Sequence, residues 1–147
     1  MGSLVRSDWR ERFPLPPAEL WARMEAVEEY RSWWPWLREL DARALEAGEV
    51  WGCLVQPPLP YRLRFDLTIE EVVPERSVSA SVGGDIEGTA SLEVTAVDGG
   101  SELRLLSALA PRHPVLRAVG TVAGPIAQFG HDWVIDTALR QFRHRCC

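Results

Sequence analysis

PIAQFGHDWVIDTALRQFR, running from Pro125 to Arg143, is the stretch that decides the fold. Within it Ala127, His131, Val134, Ile135, Ala138 and Phe142 recur at three- and four-residue intervals, which draws one apolar stripe along an α-helix. Pro125 suits the first helical position, where its missing N–H costs nothing. Nineteen residues rising about 1.5 Å each make a rod of about 28 Å, long enough to cross a sheet. One titratable group, His131, sits in the stripe.

Upstream of this helix the period changes to two. Strands are expected at 41–46, 49–56, 61–73, 77–83, 85–97 and 101–110. Turn chemistry separates them: Ala47-Gly48, Pro57 to Pro60, Pro74-Glu75-Arg76, Gly83-Gly84 and Asp98-Gly99-Gly100. Links this short join antiparallel neighbours. In 61–70, Tyr61, Leu63, Phe65, Leu67 and Ile69 share the inward face, and Arg62, Arg64, Asp66, Thr68 and Glu70 the outward one. Gly52, Ala80, Gly88 and Ala90 are taken as small inward residues that leave room or let the sheet bend.

The N-terminal part supplies one more strand and two short helices. Residues 4–13 alternate, with Val5, Trp9 and Phe13 on the buried face together with Ser7 and Glu11. Pro14 to Pro17 ends that strand and opens a helix striped by Leu20, Trp21, Met24 and Val27. A second helical segment covers Glu28 to Trp34, and Pro35 disfavours helical geometry at Trp34. Between the last strand and the long helix, Pro114 to Ala123 reads as a further helical approach. The expected class is α+β: a curved antiparallel sheet of about seven strands, two short helices after the first strand, and a long C-terminal helix over a cavity.

Composition narrows the chemistry. The chain has 147 residues, is 46% hydrophobic and carries a net charge of −5, which fits one domain spanning 1–147, with 143–147 expected to fray. An acidic balance argues against nucleic acid, whose phosphates call for a clustered basic excess. No apolar run approaches the roughly 18 residues of a membrane span, and the charged N-terminus has no signal-peptide core, so a cytoplasmic location is expected. All 16 basic residues are arginine. Without lysine there is no Schiff base and no P-loop, and no cofactor is expected. Cys53, Cys146 and Cys147 fit no zinc spacing, so no metal is expected, and Cys53 reads as a small buried residue.

Particular residues strengthen the reading. Trp33-Trp34-Pro35, the run Gly84-Asp85-Ile86-Glu87-Gly88, and His131 followed by Val134 and Ile135 resemble the START-related SRPBCC superfamily with its helix-grip fold. Within it the chain is similar to the bacterial polyketide cyclase/dehydrase and lipid-transport group, from Ser7 to Phe142. Many members place Asn before the helix histidine, where this chain has Gly130. The resemblance implies a deep cavity for a hydrophobic or polyaromatic ligand, and no single chemistry.

His131 is then a candidate acid or base, or a donor to a ligand carbonyl; it reads equally as a core histidine satisfied by a protein partner. Glu11, inward on the first strand, is a second candidate, or a carboxylate paired with arginine or turned to solvent. Trp33, Trp34, Trp36 and Trp51 read either as an aromatic wall around a flat ligand, whose indole N–H groups could pair with a ligand oxygen, or as ordinary core. Tyr61, Phe65, Leu92, Leu105, Ser107 and Ile135 complete the expected ligand contacts. Three functions remain open at this point. The first is binding of a small hydrophobic or polyketide-like ligand. The second is a cyclase or dehydratase using His131, with Glu11, Tyr61 or Ser107 assisting. The third is a co-chaperone-like partner-binding domain, which predicts an exposed apolar patch. A homodimer is compatible with each.

Overall fold

The computed structural model describes residues 5–57, 62–111 and 124–146, and in the terminal helix the side chains from Asp132 to His144. Tyr61, the expected helical approach from Pro114 to Ala123, and the side chain of His131 lie outside the described residues. β1 (Val5–Phe13) is followed by α1 (Pro17–Glu25), a 3₁₀ turn (Val27–Glu29) and α2 (Tyr30–Trp33). β2 (Leu37–Asp41), β3 (Val50–Val55), β4 (Leu63–Val73), β5 (Ser77–Gly84), β6 (Ile86–Val97) and β7 (Gly100–Pro111) come next, and α3 (Gly124–Cys146) ends the chain. The seven strands form one antiparallel sheet in the order β1-β7-β6-β5-β4-β3-β2.

Register explains where the sheet is thick and where it is thin. One inward row runs Ser7, Ser107, Ala90, Ala80, Ile69 across β1, β7, β6, β5 and β4. The neighbouring row carries Trp9, Leu105, Leu92, Val78 and Val72. A row of alanines and serines beside a row of bulky residues leaves a trough in the concave face. A bulge between Ile69 and Glu71 returns Val72 to that face. At Gly88 the backbone adopts φ +150°, and a Cβ there would sit 1.9 Å from the Ala108 carbonyl oxygen. Only glycine lets β6 approach β7 so closely.

The helices form for local reasons. Pro17 opens α1, whose Leu20, Trp21 and Met24 are buried. Trp34, ahead of Pro35, is extended at φ −122°, ψ 90°, and this ends α2. α3 runs on to Cys146, three residues past the expected end, and lies against β1 and α2. Ser7 and Glu11, the inward polar residues of β1, meet it: the Ser7 hydroxyl lies 3.3 Å from Asp132 Oδ1, and Arg143 donates to Glu11 at 3.0 Å.

Two expectations are corrected. The strand expected at 41–46 forms instead at Leu37–Asp41, because Leu37 already pairs with Val55 and Asp41 with Gly52. The residues after it make a loop tied down by the Trp51 indole, which donates to the Ala44 carbonyl at 2.9 Å. Gly52 also faces outward, opposite Asp66, while its neighbours Trp51 and Cys53 face in.

Candidate ligand-binding site

Between the trough and α3 lies a cavity of about 290 Å³. Trp33, Trp34 and Trp36 close it from the α2 side, and Trp51 and Phe65 from β3 and β4. Ala80 and Ala90 floor it, and Val134, Ile135 and Ala138 cover it from the helix. The rings are mutually packed: Tyr30 lies 5.0 Å from Trp34 and 5.9 Å from Trp51, and Trp34 stacks on Trp36 at 5.6 Å. Such offset and edge contacts stiffen the wall beyond what burial alone provides.

The polar ends of Tyr30, Trp34, Trp36 and Trp51 are already engaged. Trp34 Nε1 donates to the Ala138 carbonyl at 3.0 Å, Trp36 Nε1 to Gln141 Oε1 at 2.9 Å, and Trp51 Nε1 to Ala44. The Tyr30 hydroxyl donates to the Met24 carbonyl. The expectation that Trp34, Trp36 and Trp51 offer N–H groups to a ligand oxygen is therefore corrected: these donors point into the protein. Two of them brace α3, so the helix is held off the sheet by aromatic struts.

Titratable groups in the wall are held neutral. Burial, with a smaller push from Asp66, raises the Cys53 thiol to about 12, so it supplies no thiolate near neutrality. Burial, followed by Glu28 and Glu25, likewise raises the Tyr30 phenol above its ordinary value. No cluster of three His, Cys, Asp or Glu that could hold a metal occurs among the described residues.

Of the residues expected from sequence, Trp33, Trp36, Trp51, Phe65, Leu92, Leu105 and Ile135 line this cavity. Ser107 faces inward, between Ser7 and Ala90, but borders a separate hollow with Ser79, Thr89 and Ser91. Glu11 is spent on Arg143 at the β1–α3 seam and does not line the cavity. His131 lies one turn before Ile135 on the backbone of α3. Residues absent from the expected set include Tyr30, Leu40 and Leu45. Tyr30 carried a signal in its clustering with three tryptophans; Leu40 and Leu45 sit in and just after β2, which the sequence pattern places four residues late.

The Gly84-Asp85 run has a structural job. Asp85 donates its backbone N–H to the Arg64 carbonyl, and its carboxylate accepts the Arg64 N–H at 2.9 Å, so it caps the exposed end of β4.

The family model described as polyketide cyclase / dehydrase and lipid transport matches residues 9–146. The chain belongs to that family, and its curved seven-stranded sheet under a C-terminal helix is the helix-grip fold of the SRPBCC superfamily. The crystal structure of TTHA0849 from Thermus thermophilus is similar over 98% of this chain and 97% of that one, with a TM-score of 0.77 and 14% identity. Ms6760 from Mycobacterium smegmatis matches over 95% and 89% of the two chains, at a TM-score of 0.69 and 15% identity. Ara h 8.0201 matches over 98% of each chain at a TM-score of 0.65 and 12% identity. Identities this low speak for the fold alone. No curated protein matches the chain by sequence.

Proposed function

We propose that this protein binds a small, flat, hydrophobic molecule in the cavity between the sheet and α3. The observation that carries this reading is a cavity of about 290 Å³ walled by aromatic rings, with the indole N–H groups of Trp34, Trp36 and Trp51 already paired within the protein. That volume equals roughly ten water molecules at about 30 Å³ each, yet a wall this apolar holds water poorly. At about 24 cal/mol per Å³ of void, leaving it unfilled forgoes about 7 kcal/mol of packing. A domain stable by about 5–15 kcal/mol keeps such a void for a purpose. A ligand that fills it recovers the lost contacts.

Binding is favoured over catalysis by the lining itself. An aldol cyclisation needs a base to take a proton and a donor to polarise a carbonyl. Among the described lining residues no base is found, since Cys53 and Tyr30 are held protonated and Glu11 is paired elsewhere. A catalytic role would fall to His131, one turn before Ile135 on α3. The partner-binding reading loses ground because Val50 and Val73 are the large exposed apolar residues among those described, and they lie on different strands. No helix among the described residues is long and apolar enough to cross a membrane.

Quenching of the intrinsic fluorescence by 2-naphthol tests the reading, because four tryptophans line the cavity. Saturable quenching that Ala90→Trp abolishes is the expected result. Absence of saturable quenching, together with native mass spectra free of any retained small molecule, overturns it. If binding is present, loss of turnover but not of binding in His131→Ala would move the assignment toward catalysis.

A further inference from the structure

α3 is fastened along two sides, and the two fastenings differ. On the α2 side the Trp34 indole donates to the Ala138 carbonyl at 3.0 Å and the Trp36 indole to Gln141 Oε1 at 2.9 Å, both from rings that wall the cavity. On the β1 side the polar contacts come from side chains that water reaches. Arg143 meets Glu11 at 3.0 Å with the two side chains 54% and 26% exposed, and the Ser7 hydroxyl donates to Asp132 Oδ1 at 3.3 Å. An exposed ion pair adds little to stability, so the β1 side is the one that parts more easily. β1 is also an edge strand. It pairs with β7, and among the described residues no strand lies on its other side.

Between the two polar contacts stands Trp9. It shares the inward face of β1 with Ser7 and Glu11, two residues from each. The partners of those neighbours, Asp132 and Arg143, lie about 16 Å apart along α3 at 1.5 Å per residue, which places Trp9 opposite the turns between them. Those turns carry Ile135, Ala138 and Leu139 of the cavity lining. On the sheet side Trp9 pairs with Leu105, another lining residue. Trp9 itself is half-buried, packs against the core and does not line the cavity. Phe13 and Phe142, 5.4 Å apart, close the end of the seam beyond Glu11. Along the rest of it one large ring stands between hollow and solvent.

We propose that the seam between β1 and α3 is a passage into the cavity, with Trp9 as its gate and the Glu11–Arg143 pair as its latch. The passage presupposes the ligand-binding role proposed for the cavity. α3 pivots on the Trp34 and Trp36 hydrogen bonds, the seam parts, and the Trp9 ring swings toward solvent to admit a flat molecule. Neither gate nor latch lines the cavity. They therefore set how fast a ligand enters and leaves, and not how tightly it is held.

Two rates test this, one of them independent of any ligand. Cys53 lines the cavity from β3, and four strands separate β3 from β1 in the sheet. In a chain carrying Cys146→Ser and Cys147→Ser it is the sole thiol, so its alkylation by N-ethylmaleimide, followed by mass, reports access to the hollow. Trp9→Ala should speed alkylation on the order of tenfold. Glu11→Gln keeps the shape and removes the charge, and should speed it about two- to fivefold, as expected for loss of an exposed pair. Urea titrations give the unfolding constant of each variant. Alkylation that rises only in proportion to that constant reports global unfolding and overturns the gate. The second rate is stopped-flow quenching by 2-naphthol, for which Trp9→Ala keeps all four cavity tryptophans. Entry and release should accelerate by the same factor, with an unchanged Kd. Unchanged rates in both variants, or a Kd that shifts while the entry rate does not, overturn the passage. Variant-dependent alkylation in a chain that 2-naphthol never quenches supports the passage and counts against the ligand-binding role instead.

Discussion

Two regions of one apolar interior are built to opposite ends. Beneath α1 the core is filled: Phe13, Leu20, Trp21 and Val27 are at most 4% exposed, none of them borders the cavity, and Phe13 meets Phe142 at 5.4 Å. Beneath the other half of α3 the interior is hollow, with Ala80 and Ala90 facing Val134, Ile135 and Ala138 across empty space. Both regions use the same sheet, the same helix and equally apolar side chains. What differs is volume at the inward positions and the tryptophan bracing that stops the helix from settling. The filled end supplies stability, and the hollow end gives some of it up to make room.

The sharpest way to break that comparison is to hollow the filled end. Phe13→Ala removes a ring that is 2% exposed, packed on Phe142 and outside the cavity lining. Urea unfolding should show a loss of about 3–5 kcal/mol, with the ligand cavity still formed in molecules that remain folded. A loss below about 1 kcal/mol would mean that the two ends are packed alike.

A second measurement probes whether the hollow end is dry. Cys53 borders the cavity, and burial pushes its thiol from an ordinary 9.0 up to about 12. The folded state thus disfavours the thiolate, while the unfolded chain ionises normally. Stability from this group is complete below pH 9 and is lost as pH rises from about 9 toward 12, by up to about 4 kcal/mol for a rise of that size. Tyr30, also raised by burial, begins to contribute only above its ordinary 10.0, so the interval between 9 and 10 reports the thiol. Chemical denaturation of the parent and of Cys53→Val across that interval should diverge in slope. Parallel slopes would mean that water reaches the thiol and the cavity is wet.

Much of this division was legible in the amino-acid pattern, and some of it could not be. Alternation in β4 set Phe65, Leu67 and Ile69 inward because one face of a half-buried strand must be apolar. Pro35 announced the end of α2 through the steric restriction it places on Trp34. β2 escaped notice because Leu37-Arg38-Glu39-Leu40-Asp41 favours helix locally and becomes a strand only through pairing with β3. Period two also reports which face a residue occupies and nothing of its depth along the strand. Ser107 has the inward parity expected of it, yet it lies beyond the cavity. The tryptophan-rich cluster was visible, but its hydrogen bonds were not, since Trp34 and Ala138 are 104 residues apart and the acceptor is backbone.

The smallest expected effects come from enlarging one side chain at each end, and they should differ in sign. Ala90→Leu adds three carbons to the hollow floor. At about 0.8 kcal/mol per buried carbon, and allowing for imperfect fit, stability should rise by about 1–2 kcal/mol. The same change should abolish 2-naphthol quenching, since it occupies the space a ligand needs. Ser101→Leu makes the matching change at the filled end, where Ser101 is 0% exposed and its hydroxyl donates to the Leu15 carbonyl at 2.6 Å. There the added carbons have no space to enter, and overpacking costs about 1–3 kcal/mol before the lost hydrogen bond is counted. Opposite signs in paired urea titrations require an interior that is filled beneath α1 and open beneath Ile135. If both variants were destabilised alike, the hollow would be closed in solution by movement of α3 toward the sheet, and the cavity would form only when a ligand enters.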